Sequence, residues 1–135
     1  MERWVNWSEC DAVGILFYPN VFQWFDETAE EFFRSLGLDW HEYFPREGLL
    51  GVPIVEAQCR FVSPMPHGER VKVNLSLIEV SRKSFKLLYE VRRGEALCAE
   101  GYEVRVFAER QSENGNIRAL PIPETIKTRL MGGDT

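Results

Sequence analysis

An acidic residue, Asp11, lies in a short segment that contains Gly14 and ends in the dipeptide Tyr18-Pro19. A carboxylate can attack a carbonyl carbon directly, or it can take a proton from the water molecule that attacks. Proline suits the first turn of a helix, and that turn leaves backbone N–H groups that can stabilise a negatively charged oxygen. The combination suits acyl-transfer chemistry, but an Asp11 that only caps a turn would explain the same residues.

The sequence after Pro19 predicts the helix that supplies those N–H groups. From Asn20 to Leu36, apolar residues recur at spacings of three, four and seven, the pattern of one helix face. Gly37 follows as a typical C-terminal residue of a helix. Further bulky side chains widen the apolar face, which predicts a largely buried helix. The apolar positions are Val21, Phe22, Trp24, Phe25, Ala29, Phe32, Phe33 and Leu36.

Beyond this helix the sequence predicts antiparallel strands. Branched and aromatic residues alternate with polar ones, and short polar breaks of hairpin length separate the segments. One strand, one long helix and a run of strands make an α+β arrangement, in which the helix covers one face of the sheet. We expect one domain over residues 1–135. The predicted strands are 2–7, 53–63, 69–80, 83–93, 97–109 and 117–120; 39–51 is a partly helical connection, and a short helix or tail ends the chain.

Composition and charge limit the classes of function. A formal net charge of -5 argues against nucleic-acid binding. The N-terminus has no apolar signal region, and no apolar run approaches the roughly 20 residues that span a bilayer, so we expect a cytoplasmic protein without membrane contact. Cys10, Cys59 and Cys98 form no CxxC pair, which predicts reduced thiols and no metal site. A nucleophilic Cys10 beside Asp11 is an alternative.

The order of these elements and several motifs resemble the 4-hydroxybenzoyl-CoA thioesterase family, which has the hotdog fold. The resemblance covers residues 5–122 and implies an antiparallel sheet of five to six strands wrapped around one long central helix. It is nearer to the branch that gives the family its name than to the short-chain acyl-CoA branch, which usually has His at the position of Tyr18. The segments that carry it are 9–20, 24–26, 51–55, 82–85 and 103–107.

This resemblance implies hydrolysis of an acyl-CoA thioester to a free acid and CoA, with 4-hydroxybenzoyl-CoA as the leading substrate. Asp11 would be the nucleophile or the general base. The backbone amide of Tyr18, at the start of the helix, would polarise the thioester carbonyl; Asn20 and Val21 carry the other amides near that point. CoA is part of the substrate, so no separate cofactor is expected.

Four further residues are expected to contact the acyl group. Asp26 lies in an otherwise buried helix, and the resemblance allows it to hydrogen-bond the phenol of an aromatic acyl group; a solvated or salt-bridged helix position is the alternative. Gly14 permits close approach of a ligand. Phe17 and Trp24 can line a pocket for a flat ring, and core packing is the alternative for both.

Two adjacent cations, Arg82 and Lys83, lie at a predicted hairpin tip. They match the family's nucleotide-binding turn and are expected to bind the CoA phosphates; simple solvation is the alternative. The family also builds its active sites between subunits. The resemblance therefore implies a homodimer or homotetramer in which Asp11 acts beside Arg82 or Ser63 of a neighbouring subunit.

Other functions would use the same residues differently. A thioesterase for a dihydroxynaphthoyl group, or for a short or medium aliphatic group, would keep Asp11 and change only the pocket. A hotdog dehydratase would need a histidine near the central helix, where neither His41 nor His67 lies. A non-catalytic acyl-CoA-binding module would keep the CoA site without hydrolysis, and the presence of Asp11 favours catalysis over it.

Overall fold

The computed structural model describes residues 1–110 and 115–132, so the end of the predicted C-terminal tail lies outside the described residues. The elements follow the predicted order: a strand, a long helix and then the remaining strands. The strands are β1 (Glu2–Trp4), β2 (Ile54–Phe61), β3 (Arg70–Val80), β4 (Ser84–Arg93), β5 (Ala96–Arg110) and β6 (Ile117–Leu120), and the helices are α1 (Asn20–Ser35), α2 (Tyr43–Arg46) and α3 (Glu124–Leu130).

The strands form one six-stranded sheet, which confirms the predicted α+β class. The strand order is β1-β3-β4-β5-β2, and β6 pairs with β5. The β1–β3 and β5–β6 pairs are antiparallel. In β4 every second residue from Phe85 to Val91 is buried, which is the period of two that the sequence predicts. Strand β2 lies at an edge, and most of its residues are exposed.

The first strand is shorter than predicted. It ends at Trp4, and a 3₁₀ turn occupies Trp7–Glu9 where the sequence predicts a strand as far as residue 7. The physical reason is a local hydrogen bond, because the Asn6 N–H donates to Glu9 Oε1 at 3.0 Å. Such bonds from a side chain to the nearby backbone compete with pairing in a sheet.

Helix α1 ends at Ser35, one residue before the predicted Leu36, and Gly37 follows it as the sequence predicts. Gly37 has a φ of 75°, which glycine adopts without strain. The Leu38 N–H donates to the Phe33 carbonyl at 2.9 Å, and the Gly37 N–H to the Arg34 carbonyl at 3.0 Å, the Schellman pattern of a helix end. None of the helices in the described ranges is long and apolar enough to cross a membrane.

The chain packs as two compact units, so the predicted single domain stays a prediction. The first unit comprises Met1–Ala29, Gln58–Ser76 and Leu88–Tyr102. Inside it, the Phe25 ring of α1 stacks on the Tyr89 ring of β4 with a centroid distance of 4.2 Å. The helix therefore covers the sheet within this unit, as the sequence predicts.

The second unit comprises Glu30–Ala57, Leu77–Leu87 and the described part of Glu103–Thr135. A cluster of buried phenylalanine rings forms its core. Phe33 of α1 lies 5.6 Å from Phe85 of β4, and Phe44 of α2 lies 6.0 Å from Phe107 of β5, measured between ring centroids. Here too the helical residues pack directly on strand residues.

Candidate active site

Asp11 begins a tight turn that its own side chain caps. Its backbone N–H donates to the Ile15 carbonyl at 2.9 Å. Its Oδ1 accepts from the N–H of Val13 at 2.9 Å and from that of Ile15 at 3.4 Å. The turn uses only one carboxylate oxygen, because within residues 1–110 and 115–132 no donor contacts Oδ2. Asp11 therefore caps a turn and still has an oxygen available for chemistry.

Backbone hydrogen bonds hold this turn against a segment from much later in the chain. The Leu16 N–H donates to the Met65 carbonyl, and the His67 N–H donates to the Gly14 carbonyl, both at 2.9 Å. Gly14 has a φ of 90°, a backbone conformation that a side chain would strain. These hydrogen bonds attach the turn that begins at Asp11 to residues 65–67.

The start of α1 leaves one backbone amide available. The Asn20 N–H donates to the Phe17 carbonyl at 3.0 Å, and the Val21 N–H donates to the Tyr18 carbonyl at 3.2 Å. Pro19 has no N–H. No acceptor in the described part of the chain contacts the Tyr18 N–H. Of the three amides considered from the sequence, Tyr18 is the one that can still bind a ligand oxygen.

Asp11 and Tyr18 line one cavity of about 390 Å³. Its walls are mainly apolar, and the Phe61 ring meets the Tyr18 ring edge-on at 6.5 Å. The sequence placed most of these wall residues in a strand, a loop or a polar break without assigning them to a site. The one usable signal is the apolar pair Phe61-Val62, which Ser63 separates from the break at 64–68. The unpredicted apolar residues of the wall are Ile15, Leu16, Phe61, Val62, Pro64 and Met65.

The residues predicted to contact the acyl group have different positions. Phe17 is 47% exposed and lies edge-on to Tyr18. Asp26 lies on the exposed face of α1. Trp24 is fully buried, and its Nε1 donates to Glu9 Oε2 at 2.8 Å. None of these three lines the cavity of Asp11, and their contacts with substrate stay predictions.

Arg82 and Lys83 form the exposed tip of the β3–β4 hairpin, where the sequence predicts a turn. The Ser81 N–H donates to the Ser84 carbonyl at 2.8 Å and closes the turn. The Ile122 N–H donates to the Arg82 carbonyl at 2.8 Å, which attaches the hairpin tip to the segment after β6. Neither cation forms an ion pair with a described residue, so both charges are available to an anionic ligand.

The amino-acid sequence of this chain matches a known family and is similar to those of named CoA thioester hydrolases. Residues 5–130 match the family described as the thioesterase-like superfamily. The 4-hydroxybenzoyl-CoA thioesterase of Pseudomonas sp. (strain CBS-3) is 30% identical over 129 residues, which are 91% of this chain and 90% of the relative. The 1,4-dihydroxy-2-naphthoyl-CoA hydrolase of Thermosynechococcus vestitus is 33% identical over 132 residues, 96% of this chain and 86% of the relative.

Solved structures agree with the sequence comparison. A gentisyl-CoA thioesterase gives a TM-score of 0.83 at 32% identity, covering 94% of this chain and 98% of the other. An Asp-to-Asn variant of 4-hydroxybenzoyl-CoA thioesterase complexed with 4-hydroxybenzoyl-CoA gives 0.87 at 27% identity, covering 96% of each chain. These similarities confirm the predicted hotdog fold and family.

Cys10 is the alternative nucleophile that the sequence suggests. Burial raises the pKa of its thiol, and the nearby carboxylates of Asp11 and Glu9 raise that pKa further. A thiol with a raised pKa holds its proton at neutral pH, and the protonated form is a poor nucleophile. Among the described residues, no group of three His, Cys, Asp or Glu side chains could hold a metal ion.

We expect the Cys10→Ala variant to keep kcat within about twofold of the wild-type value, because a protonated thiol does not act as the nucleophile. Steady-state hydrolysis of an acyl-CoA ester measures it. Cys59→Ala is the matched control for loss of a thiol elsewhere. A fall of about 100-fold in Cys10→Ala alone would make Cys10 the nucleophile.

Proposed function

This chain belongs to the thioesterase-like superfamily and is a thioester hydrolase, and we propose that it cleaves an aromatic acyl-CoA with Asp11 and the Tyr18 amide as catalytic groups. One observation carries the proposal: the residues Asp11 and Tyr18 line the same cavity. Within the described chain, neither Oδ2 of Asp11 nor the N–H of Tyr18 has a partner. The cavity thus offers one group that can attack a carbonyl and one that can bind its oxygen.

Asp11 can drive hydrolysis by two balanced routes. In the first, its Oδ2 attacks the thioester carbon, the C–S bond breaks, CoA leaves as a thiolate, and water then hydrolyses the mixed anhydride. In the second, Oδ2 takes a proton from water, the hydroxide attacks, and the departing thiolate receives the proton. Both routes need Oδ2 close to the carbonyl carbon.

The Tyr18 amide would stabilise the negative charge that develops on the carbonyl oxygen. It lies at the start of α1, where the helix dipole adds partial positive charge. A well-placed donor of this kind lowers an acyl-transfer barrier by about 3–4 kcal/mol. Asn20 and Val21 are less suitable, because their N–H groups already donate to the preceding turn.

The cavity walls favour a flat, apolar acyl group. Phe61 and Tyr18 present two rings at right angles, and Met65 is a polarizable side chain that packs well against rings. The relatives named above act on aromatic acyl-CoA esters, as their names state. We propose 4-hydroxybenzoyl-CoA as the first candidate and dihydroxynaphthoyl-CoA as the second. Asp26 does not line this cavity, so it is the proposed partner of a substrate hydroxyl only in an active site formed between subunits.

We also propose that Arg82 and Lys83 bind the phosphates of CoA, since both cations are exposed and unpaired within the described residues. Edge strand β2 exposes Ile54, Val55 and Phe61 at 42%, 61% and 43%. Exposed edges of this kind pair readily, so a homodimer or homotetramer with active sites between subunits is part of the proposal. The cytoplasmic location stays a prediction.

We expect Asp11→Asn to lower kcat by at least about 100-fold and to leave KM within a few-fold, since the amide neither attacks nor takes a proton. Release of free CoA from a panel of acyl-CoA esters measures it. In the wild type, the 4-hydroxybenzoyl, gentisyl and dihydroxynaphthoyl esters should have higher kcat/KM than short or medium aliphatic esters.

Asp39→Asn is the matched control for this substitution. Asp39 also caps a turn, since its Oδ1 accepts from the N–H of His41 at 2.8 Å and of Glu42 at 3.1 Å. Equal effects of the two substitutions on kcat would reduce Asp11 to a turn cap. A wild type that binds CoA esters but hydrolyses none would instead be a binding module.

Arg82→Ala should raise KM by about fivefold for full CoA esters, the effect of a surface charge pair worth roughly 1 kcal/mol. The same substitution should leave KM for pantetheine esters unchanged, because these lack the nucleotide phosphates. Added salt should shrink the difference. Arg118→Ala, which removes an exposed arginine paired with Glu109, is the control. Equal increases in KM for both ester types would show that Arg82 does not bind the nucleotide phosphates.

A further inference from the structure

Glu9 lies two residues before Asp11, and its largely buried side chain accepts several hydrogen bonds. Its side chain is 15% exposed. Oε1 accepts from the Asn6 N–H at 3.0 Å. Oε2 accepts from Trp24 Nε1 at 2.8 Å and from the Arg3 guanidinium at 2.7 Å. The carboxylate therefore joins β1, the 3₁₀ turn and helix α1.

The backbone of Glu9 makes a second set of contacts. Its carbonyl accepts from the Phe17 N–H at 2.9 Å and from Asn20 Nδ2 at 2.9 Å. Phe17 directly precedes Tyr18, and Asn20 is the first residue of α1. Both contacts lie at the helix end of the segment that begins at Asp11, and Glu9 itself is connected to Asp11 through Cys10 alone.

Arg3 and Trp24 hold the Glu9 carboxylate in place. The Arg3 guanidinium lies over the Trp24 ring at 4.6 Å, and it also donates to Glu27 on the next turn of α1 at 2.6 Å. The Arg3 side chain is only 16% exposed, so the ion pair with Glu9 is shielded from solvent. A carboxylate that is shielded from solvent and accepts several hydrogen bonds restricts the motion of its neighbours more than an exposed surface ion pair does.

Building on the proposed function, we infer that Glu9 is a positioning residue that sets the separation between the Asp11 carboxylate and the Tyr18 amide. It does not line the cavity, so it acts through these two groups. A shift of about 1 Å between reacting groups can cost roughly 100-fold in rate. The contact also satisfies the buried indole N–H of Trp24, which donates to the Glu9 carboxylate rather than to a ligand.

The test is Glu9→Ala measured in two backgrounds. In the wild-type background, kcat should fall about 10- to 100-fold while KM stays within a few-fold. In the Asp11→Asn background the same change should alter the residual rate by less than about twofold, because the group it positions is already lost. Equal fold losses in both backgrounds, or an unchanged kcat, would overturn the inference.

Two more variants separate positioning from folding. Glu9→Gln keeps one acceptor oxygen and therefore only part of the three hydrogen bonds to the carboxylate, so its kcat should lie between those of the wild type and Glu9→Ala. Trp24→Phe removes the indole donor together with part of a buried ring, and it should lower kcat several-fold at unchanged KM. It decides the question if Glu9→Ala does not fold. Glu31→Ala, which removes an exposed ion pair with Arg34 on α1, is the control.

Amide hydrogen exchange gives a readout that does not depend on catalysis. Peptides covering 10–18 should exchange faster in Glu9→Ala than in the wild type, while peptides from β4 should not change. Unchanged protection of 10–18 would overturn the inference. If the wild type hydrolyses no acyl-CoA ester, the proposed function fails, and this exchange experiment still decides whether Glu9 fixes the segment.

Discussion

The turn that closes between Asp11 and Ile15 fixes the orientation of the Asp11 carboxylate. Two backbone N–H groups hold Oδ1, and Oδ2 has no partner among the described residues. Gly14 makes the turn possible through its positive φ, and its carbonyl binds the turn to His67. Opening the turn would also remove a wall of the cavity, because Ile15 and Leu16 are part of its lining.

The second constraint is the first turn of helix α1. Pro19 removes one N–H from that turn, and the next two amides donate backwards, so the only amide left to a ligand among the described residues of the turn is that of Tyr18. A donor fixed before the substrate arrives needs no rearrangement as charge develops on the carbonyl oxygen. The Glu9 carbonyl accepts from the Phe17 N–H and from Asn20 Nδ2, and it so links this turn to the residues that directly precede Asp11.

Much of this arrangement could be predicted because it is encoded locally. Helix α1 follows from a period of three to four, β4 from a period of two, and Asp11 and Tyr18 from a motif within a few positions. The cavity wall could not be predicted, since Phe61 and Met65 reach it only through pairing between distant segments. Periodicity marks Trp24 as apolar, but it cannot show that the indole donates to Glu9.

We propose that Asp11 and the Tyr18 amide act on the same carbonyl group. A crystal structure of the Asp11→Asn variant with 4-hydroxybenzoyl-CoA would show whether they do. We expect a thioester oxygen about 2.7–3.1 Å from the Tyr18 nitrogen, and the thioester carbon next to the side chain at position 11. A substrate bound with its thioester outside the cavity, or with its oxygen on another donor, would rule out this arrangement.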